Sequence, residues 1–386
     1  MLMKTLCYAL LCCVAALCPS IPEGEPQNNK ETFPKKGEKN IGATKLVFSE
    51  PLTVSAERIS MAGTWITNGK KLLFADRKIV PTSIYSPEGV FEKSIFVKGN
   101  GPHEIICPAF AVLPLRDGGY IYLNEMSQIH YFNSSLRIQS SSFLLKDLIK
   151  GSDMNDLLRH PDPKVPAMYE HEVYGNKLAE LGEYVIFPVS TEHRYYNGFM
   201  RNAKAKDFYQ NSYTLMAMKK NDLSKFVLFG HFPPIYNTRM LPNFMERYVC
   251  SDGNHLFVSY EADPLIYAYD SKLQSAYAFG VAGVNVKDDY PQVTSLEQHE
   301  ETTKKHHAQY GHYLKMIYGD GYLLRQYKRP GAKNALQVYK GSTLVCDEEM
   351  PYKQFELVGY IAPYFYAVVD VDYEYETYKM LRFKIE

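Results

Sequence analysis

The feature that most limits the folds open to this chain is a repeat of short strand-like segments in packets of roughly forty residues. The second packet is the clearest, with strand-like runs at 109–114, 120–124, 128–132 and 136–143 divided by turn-forming residues. Five packets of this kind follow one another, and a sixth has three strand-like runs before Glu386. Four strands in about forty residues make one β-propeller blade, so the repeat predicts an all-β protein of six blades.

The strand that the sixth packet lacks has a candidate at the other end of the chain. A short apolar run at 46–49 precedes the first packet and belongs to none of the others. A propeller that borrows an N-terminal strand for its last blade leaves no free sheet edge where the ring closes. We therefore expect residues 45–386 to form a six-bladed β-propeller in which an N-terminal strand completes the last blade. Paired β-sandwiches would also show regular strands, but they explain neither the repeat length nor the missing strand.

The first eighteen residues have the layout of a secretory signal peptide. Lys4 precedes an uncharged apolar run at 5–17, which is too short for a comfortable membrane span. Residues 19–44 are rich in Pro, Gly, Glu, Lys and Asn, and they contain too few apolar side chains to bury a core. We therefore expect export, with residues 1–18 as the signal and residues 19–44 as a disordered tether.

The end of the predicted signal offers a site for lipid attachment. Cys18 follows Val-Ala-Ala-Leu, which resembles a bacterial lipobox, although Leu17 stands where a small residue is usual. The alternative is simple cleavage near Ala16 or Ser20. Lipidation of Cys18 would make the protein a lipoprotein of a Gram-negative bacterium, in the periplasm or at the outer membrane. Contact with the membrane is then expected only through the lipid anchor.

Composition excludes some partners and favours others. Lys plus Arg and Asp plus Glu both number 43, so no net charge attracts nucleic acid or an anionic membrane surface. The 32 tyrosines fit half-buried sheet surfaces, and we expect the surplus to line grooves and interfaces. Cys107, Cys250 and Cys346 lie far apart in strand-like runs and are expected to be buried free thiols.

Two insertions and one long excursion interrupt the repeat. The insertions fall near 146–165 and 281–309, and the excursion at 192–211 is dense in aromatic and basic residues. Long loops in a compact domain are usually functional or mobile. The candidate ligand-binding residues in the excursion are His193, Arg194, Tyr195 and Tyr196. A mobile surface loop is the alternative interpretation of the same residues.

Residues 98–104 read Lys-Gly-Asn-Gly-Pro-His-Glu. This stretch resembles the Gly-x-Gly-Pro-x-Glu signature between blades of the six-bladed, TolB-like propellers common among Bacteroidetes envelope lipoproteins. We expect Gly99 and Gly101 to adopt backbone angles closed to other residues, and Pro102 to fix the next step. Glu104 is expected to cap the exposed amides. The family is largely uncharacterised, so the resemblance implies a fold and a compartment more than an activity.

A histidine-rich stretch in the second insertion is a weak metal-site candidate. Its residues are His299, Glu300, Glu301, His306, His307 and His312. The stretch lacks the His-Glu-x-x-His spacing that places two ligands on one helix face. Lys304 and Lys305 lie in its middle and would repel a cation. A solvated polar insertion is therefore the favoured interpretation, and no metal ligands are assigned.

Acidic residues alternate with apolar ones near the end of the chain, at Asp370, Asp372, Glu374 and Glu376. On one strand this spacing would put the acids on one face, where their oxygens could bind calcium. An exposed hairpin tip is the favoured interpretation. The chain also lacks Gly-x-Ser-x-Gly and any phosphate-binding Gly-rich loop, so no catalytic residue is assigned.

The pattern as a whole favours a cell-envelope binding module that is not an enzyme. Its expected ligand is an envelope protein, a peptide or a glycan, held on the broad face that a propeller offers. The alternative is a metal-dependent hydrolase or lactonase that uses the central channel. No cofactor is predicted for the binding module, whereas the alternative calls for a divalent metal such as calcium in the channel.

Overall fold

The computed structural model of the chain describes residues 31–42, 44–144, 159–160, 162–191 and 205–386. Within these residues six small antiparallel sheets stand in a ring, which confirms the predicted six-bladed β-propeller. Strands pair almost everywhere with their neighbours in the sequence, as the regular spacing of turn residues predicted.

The chain enters the ring through β1 (Leu46–Phe48) and β2 (Leu52–Ser55). Blade 1 contains β3 (Gly63–Thr67), β4 (Leu72–Asp76), β5 (Thr82–Tyr85) and β6 (Phe91–Ile95). Blade 2 contains β7 (Ala109–Pro114), β8 (Tyr120–Asn124), β9 (Gln128–Phe132) and β10 (Ile138–Phe143). Blade 3 contains β11 (Tyr169–His171), β12 (Ala179–Leu181), β13 (Tyr184–Thr191), β14 (Tyr213–Lys219) and β15 (Asp222–His231).

Blade 4 contains β16 (Arg247–Ser251), β17 (His255–Tyr260), β18 (Ile266–Asp270) and β19 (Ser275–Phe279). Blade 5 contains β20 (His312–Gly319), β21 (Tyr322–Arg329), β22 (Lys333–Lys340) and β23 (Thr343–Glu349). Blade 6 contains β24 (Glu356–Ile361), β25 (Tyr364–Asp372) and β26 (Thr377–Ile385), with β1 and β2 beside β26.

Short helices lie in the connections between strands. The described helices are α1 (Ala205–Asn211), α2 (Leu296–Gln309) and 3₁₀ turns at Pro166–Met168, Pro234–Tyr236 and Pro242–Phe244. Helix α2 lies in the insertion between blades 4 and 5, and the Ser295 hydroxyl caps it by accepting the Gln298 N–H at 3.1 Å. Neither described α-helix has the length and apolar composition needed to cross a bilayer.

The ring closes at blade 6 with strands from both ends of the chain. Leu46 pairs with Ile385, and Leu52 pairs with Met380 farther along the same strand β26. The expected single strand at 46–49 is thus two short strands, and Pro51 lies between them, where it has no N–H to donate to β26. The borrowed strands cover the edge of β26, as the missing strand of the sixth packet predicted.

Six apolar clusters hold the ring together, one at each junction between neighbouring blades. Both faces of the second strand in a blade pack on neighbours, so all five residues of β4 and of β8 are buried. This explains why these strands read as continuous apolar runs. The outer strand β10 instead alternates half-buried and exposed residues.

Many of the tyrosines lie inside the blades, on the sheet surfaces that the composition predicted. Fully buried examples are Tyr85, Tyr122, Tyr209, Tyr236, Tyr260, Tyr269, Tyr290, Tyr313, Tyr327 and Tyr339. Several of their hydroxyls donate to backbone carbonyls, as Tyr236 does to Phe244 and Tyr290 does to Gly311, both at 2.6 Å. Such bonds satisfy the hydroxyl while the ring fills the space between sheets.

Part of the predicted disordered tether lies against the outside of the propeller. The Lys36 N–H donates to Ala278 O at 2.7 Å, and the Asn40 N–H donates to Leu344 O at 2.9 Å. The Phe33 ring packs edge-on against Tyr267 at 5.0 Å. Residues 33–40 therefore differ from a free linker, because their backbone pairs with the exposed outer strands of blades 4 and 5. The cysteines Cys107, Cys250 and Cys346 are all free, as expected, but only Cys346 is buried, whereas Cys107 and Cys250 are half-buried.

Candidate functional site

The first strands of the six blades surround an axial channel that contains two adjoining cavities. We call the end at which these strands begin the upper end. A lower cavity of about 390 Å³ is lined by segments from all six blades, at 66–69, 113–116, 176–180, 249–251, 315–318 and 358–360. An upper cavity of about 530 Å³, which we call the axial pocket, is lined by residues of blades 3 to 6 and the segments that lead into them.

Arg116 lines the lower cavity and contacts two other blades. The Arg116 N–H donates to Glu180 Oε2 at 2.8 Å, and Lys220 forms an ion pair with the same carboxylate. The Arg116 guanidinium lies against Gly253 of blade 4, where a Cβ atom would come within 1.3 Å of Nη1. Gly253 is thus needed for this close approach. Arg116 therefore contacts blade 3 through its backbone N–H and blade 4 through its guanidinium.

The axial pocket carries more positive than negative side chains. Its lining includes Lys177, Lys315, Lys328 and Lys353 against Glu246 and Glu356. Lys177 forms an ion pair with Glu246, and Lys315 Nζ lies 3.4 Å from Glu356 Oε1. Burial raises the pKa of Glu246, but the charge and hydrogen bond of Lys177, together with the charges of Arg247 and His307, outweigh burial and hold this pKa below its usual value. Each of the two carboxylates therefore already has a lysine partner.

Two pocket lysines have no carboxylate partner in the described part of the chain. Lys328 Nζ donates to the carbonyl of Ala332 at 3.1 Å, and burial lowers the pKa of its ammonium group. Lys353 lies at an exposed position in the segment before β24. An anionic group in the axial pocket would meet two ammonium groups that no carboxylate of the described residues neutralises.

Aromatic and amide groups form the rest of the pocket wall. Tyr174, Tyr248 and Phe355 line it, and Lys177 Nζ lies 4.8 Å above the Tyr248 ring. Gln326 is buried, donates to the carbonyl of Phe355 and accepts the Leu357 N–H at 3.1 Å. These two hydrogen bonds connect β21 to the start of blade 6 and so hold in place the part of the pocket wall that contains Lys353.

The four residues proposed from sequence as ligand contacts, His193, Arg194, Tyr195 and Tyr196, lie outside the described residues, as does Cys18. The strand that leads to them, β13, ends at Thr191. Next to that end, the buried Arg247 at the start of β16 donates to Ser190 Oγ at 3.0 Å. Their role as ligand contacts stays a prediction.

The glycine motif lies between β6 and β7, at the junction of blades 1 and 2. Glu104 Oε2 accepts the Gly101 N–H at 2.8 Å. The expected reason for the glycines is wrong, because neither Gly99 nor Gly101 has a positive φ. A Cβ atom at Gly99 would instead lie 2.0 Å from Glu104 Oε2. The glycines make room for the carboxylate, while Pro102 lies in the turn between them and Glu104.

Most of the histidine-rich helix is exposed, as the sequence favoured, but one of its faces packs on the propeller. His306 and His312 are buried, and Asn243 holds α2 in place. The Asn243 amide nitrogen donates to His306 Nδ1 at 2.7 Å and to Thr302 Oγ1 at 3.0 Å. Its amide oxygen accepts from His299 Nδ1 at 2.5 Å. One buried amide therefore contacts three successive turns of the helix.

The acidic residues near the C-terminus do not share one strand face. Asp370 and Asp372 end β25, whereas Glu374 and Glu376 lie in the turn before β26. Asp372 Oδ1 accepts the N–H groups of Glu374 and Tyr375 at 3.0 Å each. These acids form a hairpin tip, the interpretation that the sequence favoured.

The comparisons with known proteins agree on the fold. No family model matches the sequence, and no curated protein matches it significantly. The crystal structure of a DUF4221 family member from Bacteroides vulgatus ATCC 8482 is similar, with 12% identity and a TM-score of 0.61 over 90% of this chain and 99% of that one. A candidate exported protein from Bacteroides fragilis NCTC 9343 has 11% identity and a TM-score of 0.52 over 91% and 99%.

At these identities the similarity shows the fold alone. A luciferin-regenerating enzyme is also similar, but with 11% identity and a TM-score of 0.40 it carries no argument about activity. The resemblance to TolB-like lipoproteins, which rests on residues 98–104, stays a prediction.

Proposed function

We propose that the protein is an exported, envelope-associated binding protein that holds an anionic peptide or glycan in the axial pocket. The observation that carries the proposal is the pair Lys328 and Lys353, which no described carboxylate neutralises, in the wall of a cavity of about 530 Å³. Pockets that bind small ligands typically measure about 300–1,000 Å³. Tyr174 and Tyr248 add flat surfaces on which sugars or peptide side chains can pack.

The signal-like N-terminus supports the export part of this proposal, and Cys18 is the proposed point of lipid attachment. The name of the similar Bacteroides fragilis protein also points to export of that protein. The metal-dependent hydrolase or lactonase stays the alternative. It would need metal ligands facing the ligand, whereas the axial pocket presents mainly lysine, tyrosine and glutamine.

The proposal is tested with a panel of acidic oligopeptides and acidic oligosaccharides, each paired with a neutral analogue of the same length. We expect acidic members to bind and binding to weaken as salt is added, since screening reduces the attraction of lysine for anions. The double variant Lys328→Gln, Lys353→Gln should lose about tenfold in affinity per lysine. The matched control replaces the distant exposed lysines Lys225 and Lys272 with glutamine.

Two results would refute the proposal. One is equal binding of the neutral analogues, which would mean that charge is not what the pocket recognises. The other is an unchanged affinity in the double variant while the fold, checked by circular dichroism, is intact. Comparing the acidic oligopeptides with the acidic oligosaccharides shows which of the two ligand classes the pocket binds. Hydrolysis of a panel member that requires added metal would support the alternative.

A further inference from the structure

Two histidines and one glutamate converge beside the axial pocket, on residues that the proposed ligand contacts do not use. Glu261 follows β17, His307 lies in the last turn of α2, and His312 begins β20. One ligand atom from each of the three side chains lies within 4.8 Å of the others. We propose that Glu261, His307 and His312 form a binding site for a divalent transition-metal ion of the zinc class.

The carboxylate is buried and its position is fixed. The Glu261 N–H donates to Glu246 O at 2.8 Å, and Glu261 O accepts the Tyr313 N–H at 3.0 Å. On the side chain, Oε2 accepts the Glu246 N–H at 3.2 Å. The other oxygen, Oε1, lies 3.2 Å from His307 Nε2. A buried carboxylate with one oxygen held by a backbone amide presents the other oxygen to a cation.

His312 has the tautomer that a metal ligand needs. Its Nδ1 donates to the carbonyl of Tyr310 at 3.0 Å, so the lone pair is on Nε2. A histidine whose second nitrogen is bonded to a backbone carbonyl is the usual arrangement at protein metal sites.

His307 completes the set and gives access from solvent. Its ring stacks on His312 with centroids 4.4 Å apart, and about a third of its side chain is exposed. Without metal, Nε2 donates to Asn243 O at 2.6 Å and faces Glu261 Oε1. A bound metal takes the place of the Nε2 proton: a His307 imidazolium releases that proton to solvent, whereas a neutral ring changes to the tautomer with its proton on Nδ1, and in both cases the Nε2 lone pair faces the ion. The competing explanation is a permanent His307–Glu261 ion pair that binds no metal.

The chemistry of the three groups selects the metal. Two imidazoles with one carboxylate match zinc and its first-row neighbours, whereas calcium prefers six to eight oxygen ligands. Phe244 lies 5.2 Å from the His307 ring and 5.9 Å from the His312 ring, which gives the site an apolar wall. The sequence does not reveal this site, because Glu261 lies in another blade than His312. Lys304 and Lys305, which were expected to repel a cation, are exposed to solvent.

The test uses the full chain without a histidine tag, freed of metal by a chelator and dialysed. Calorimetric titration with zinc chloride alone near neutral pH should show one equivalent bound. Glu261→Gln, His307→Gln and His312→Ala should each weaken zinc binding by about 100-fold or more, since outer-shell changes already cost about 10–100-fold. His255→Gln, a partly exposed histidine at the start of β17, is the matched control and should keep wild-type affinity. Calcium chloride should give no binding.

Because His312 is buried, its replacement risks unfolding the protein. The variant at the partly exposed His307 is therefore the second test, and circular dichroism shows whether each variant is folded. The visible absorption of bound cobalt is a second measurement, and we expect it to disappear in the Glu261, His307 and His312 variants. The proposal is overturned if wild-type protein binds no zinc, if His307→Gln and His312→Ala bind zinc as tightly as His255→Gln, or if calcium binds in preference. The titration contains no peptide or glycan, so its failure leaves the proposed ligand pocket untouched.

Discussion

Replacement of His130 is expected to flatten the dependence of stability on pH. His130 lies in β9, is 5% exposed, and has its Nδ1 2.7 Å from Ser141 Oγ. Burial lowers the pKa of this imidazole from 6.5 to about 4. As the pH falls, the unfolded chain therefore takes up a proton before the folded protein does. The stability contributed by neutral His130 is present above pH 6.5 and is lost as the pH falls toward 4.

The size of the effect follows from the pKa difference between the two states. The linkage relation gives a loss of about 2 kcal/mol between pH 7 and pH 5 and about 3 kcal/mol by pH 4. The variant His130→Gln has no imidazole at this position, so its stability lacks this dependence on pH, even if its stability at pH 7 differs from that of the wild type. The stability advantage of the wild type over the variant should therefore shrink by about 2 kcal/mol when the pH is lowered from 7 to 5.

Urea denaturation followed by circular dichroism at several pH values measures this difference. Ser141→Ala is the matched control, because it removes the hydroxyl beside His130 but keeps the buried imidazole. That variant should lose about 1 kcal/mol at every pH and keep the wild-type slope. If the curves of wild type and His130→Gln run parallel from pH 7 to pH 5, His130 is not held neutral by burial and the reasoning is wrong.

Three further predictions concern stability, each measured by thermal unfolding. Gly99→Ala should cost about 1 kcal/mol, because its Cβ displaces the exposed Glu104 carboxylate from the Gly101 N–H. In a Glu104→Ala background the same change should cost less; additive losses would refute the steric account. Phe33→Ala should cost about 1 kcal/mol by freeing residues 33–40 from blade 4, and no change would show that this segment is not docked. Arg247→Met should cost about 3 kcal/mol, since it leaves the Val189 and Thr214 carbonyls without a donor; wild-type stability would contradict this.

The fold could be predicted from sequence because its signals are local. Each hairpin is marked by its own turn residues, such as Asn68-Gly69, where Gly69 has a φ of 80° and Asn68 Oδ1 accepts the Lys71 N–H at 2.8 Å. The number of strands and the lone N-terminal run then determine how the ring closes. Residues 33–40 were mispredicted because composition describes a segment alone, whereas their partners are the outer strands of two blades.

The candidate site could not be predicted in this way because closure of the ring assembles it. Lys177, Lys315 and Lys353 come from distant parts of the chain, and nothing in their local sequence separates them from exposed lysines. The metal-site residues show the same limit. His307 and His312 were noticed, but Glu261 belongs to a loop of the preceding blade, and adjacent helix residues such as Lys305 and His306 point in different directions. Only the tertiary structure brings such groups together.

The most direct test of the central claim is the footprint of a bound ligand on the chain. Hydrogen–deuterium exchange would be compared with and without an acidic peptide or oligosaccharide from the binding panel. We expect slower exchange with ligand at 174–177, 314–316 and 353–356, the backbone segments that line the axial pocket. Protection confined to the lower hairpins or the outer strands, with these three segments unchanged, would contradict binding in the axial pocket.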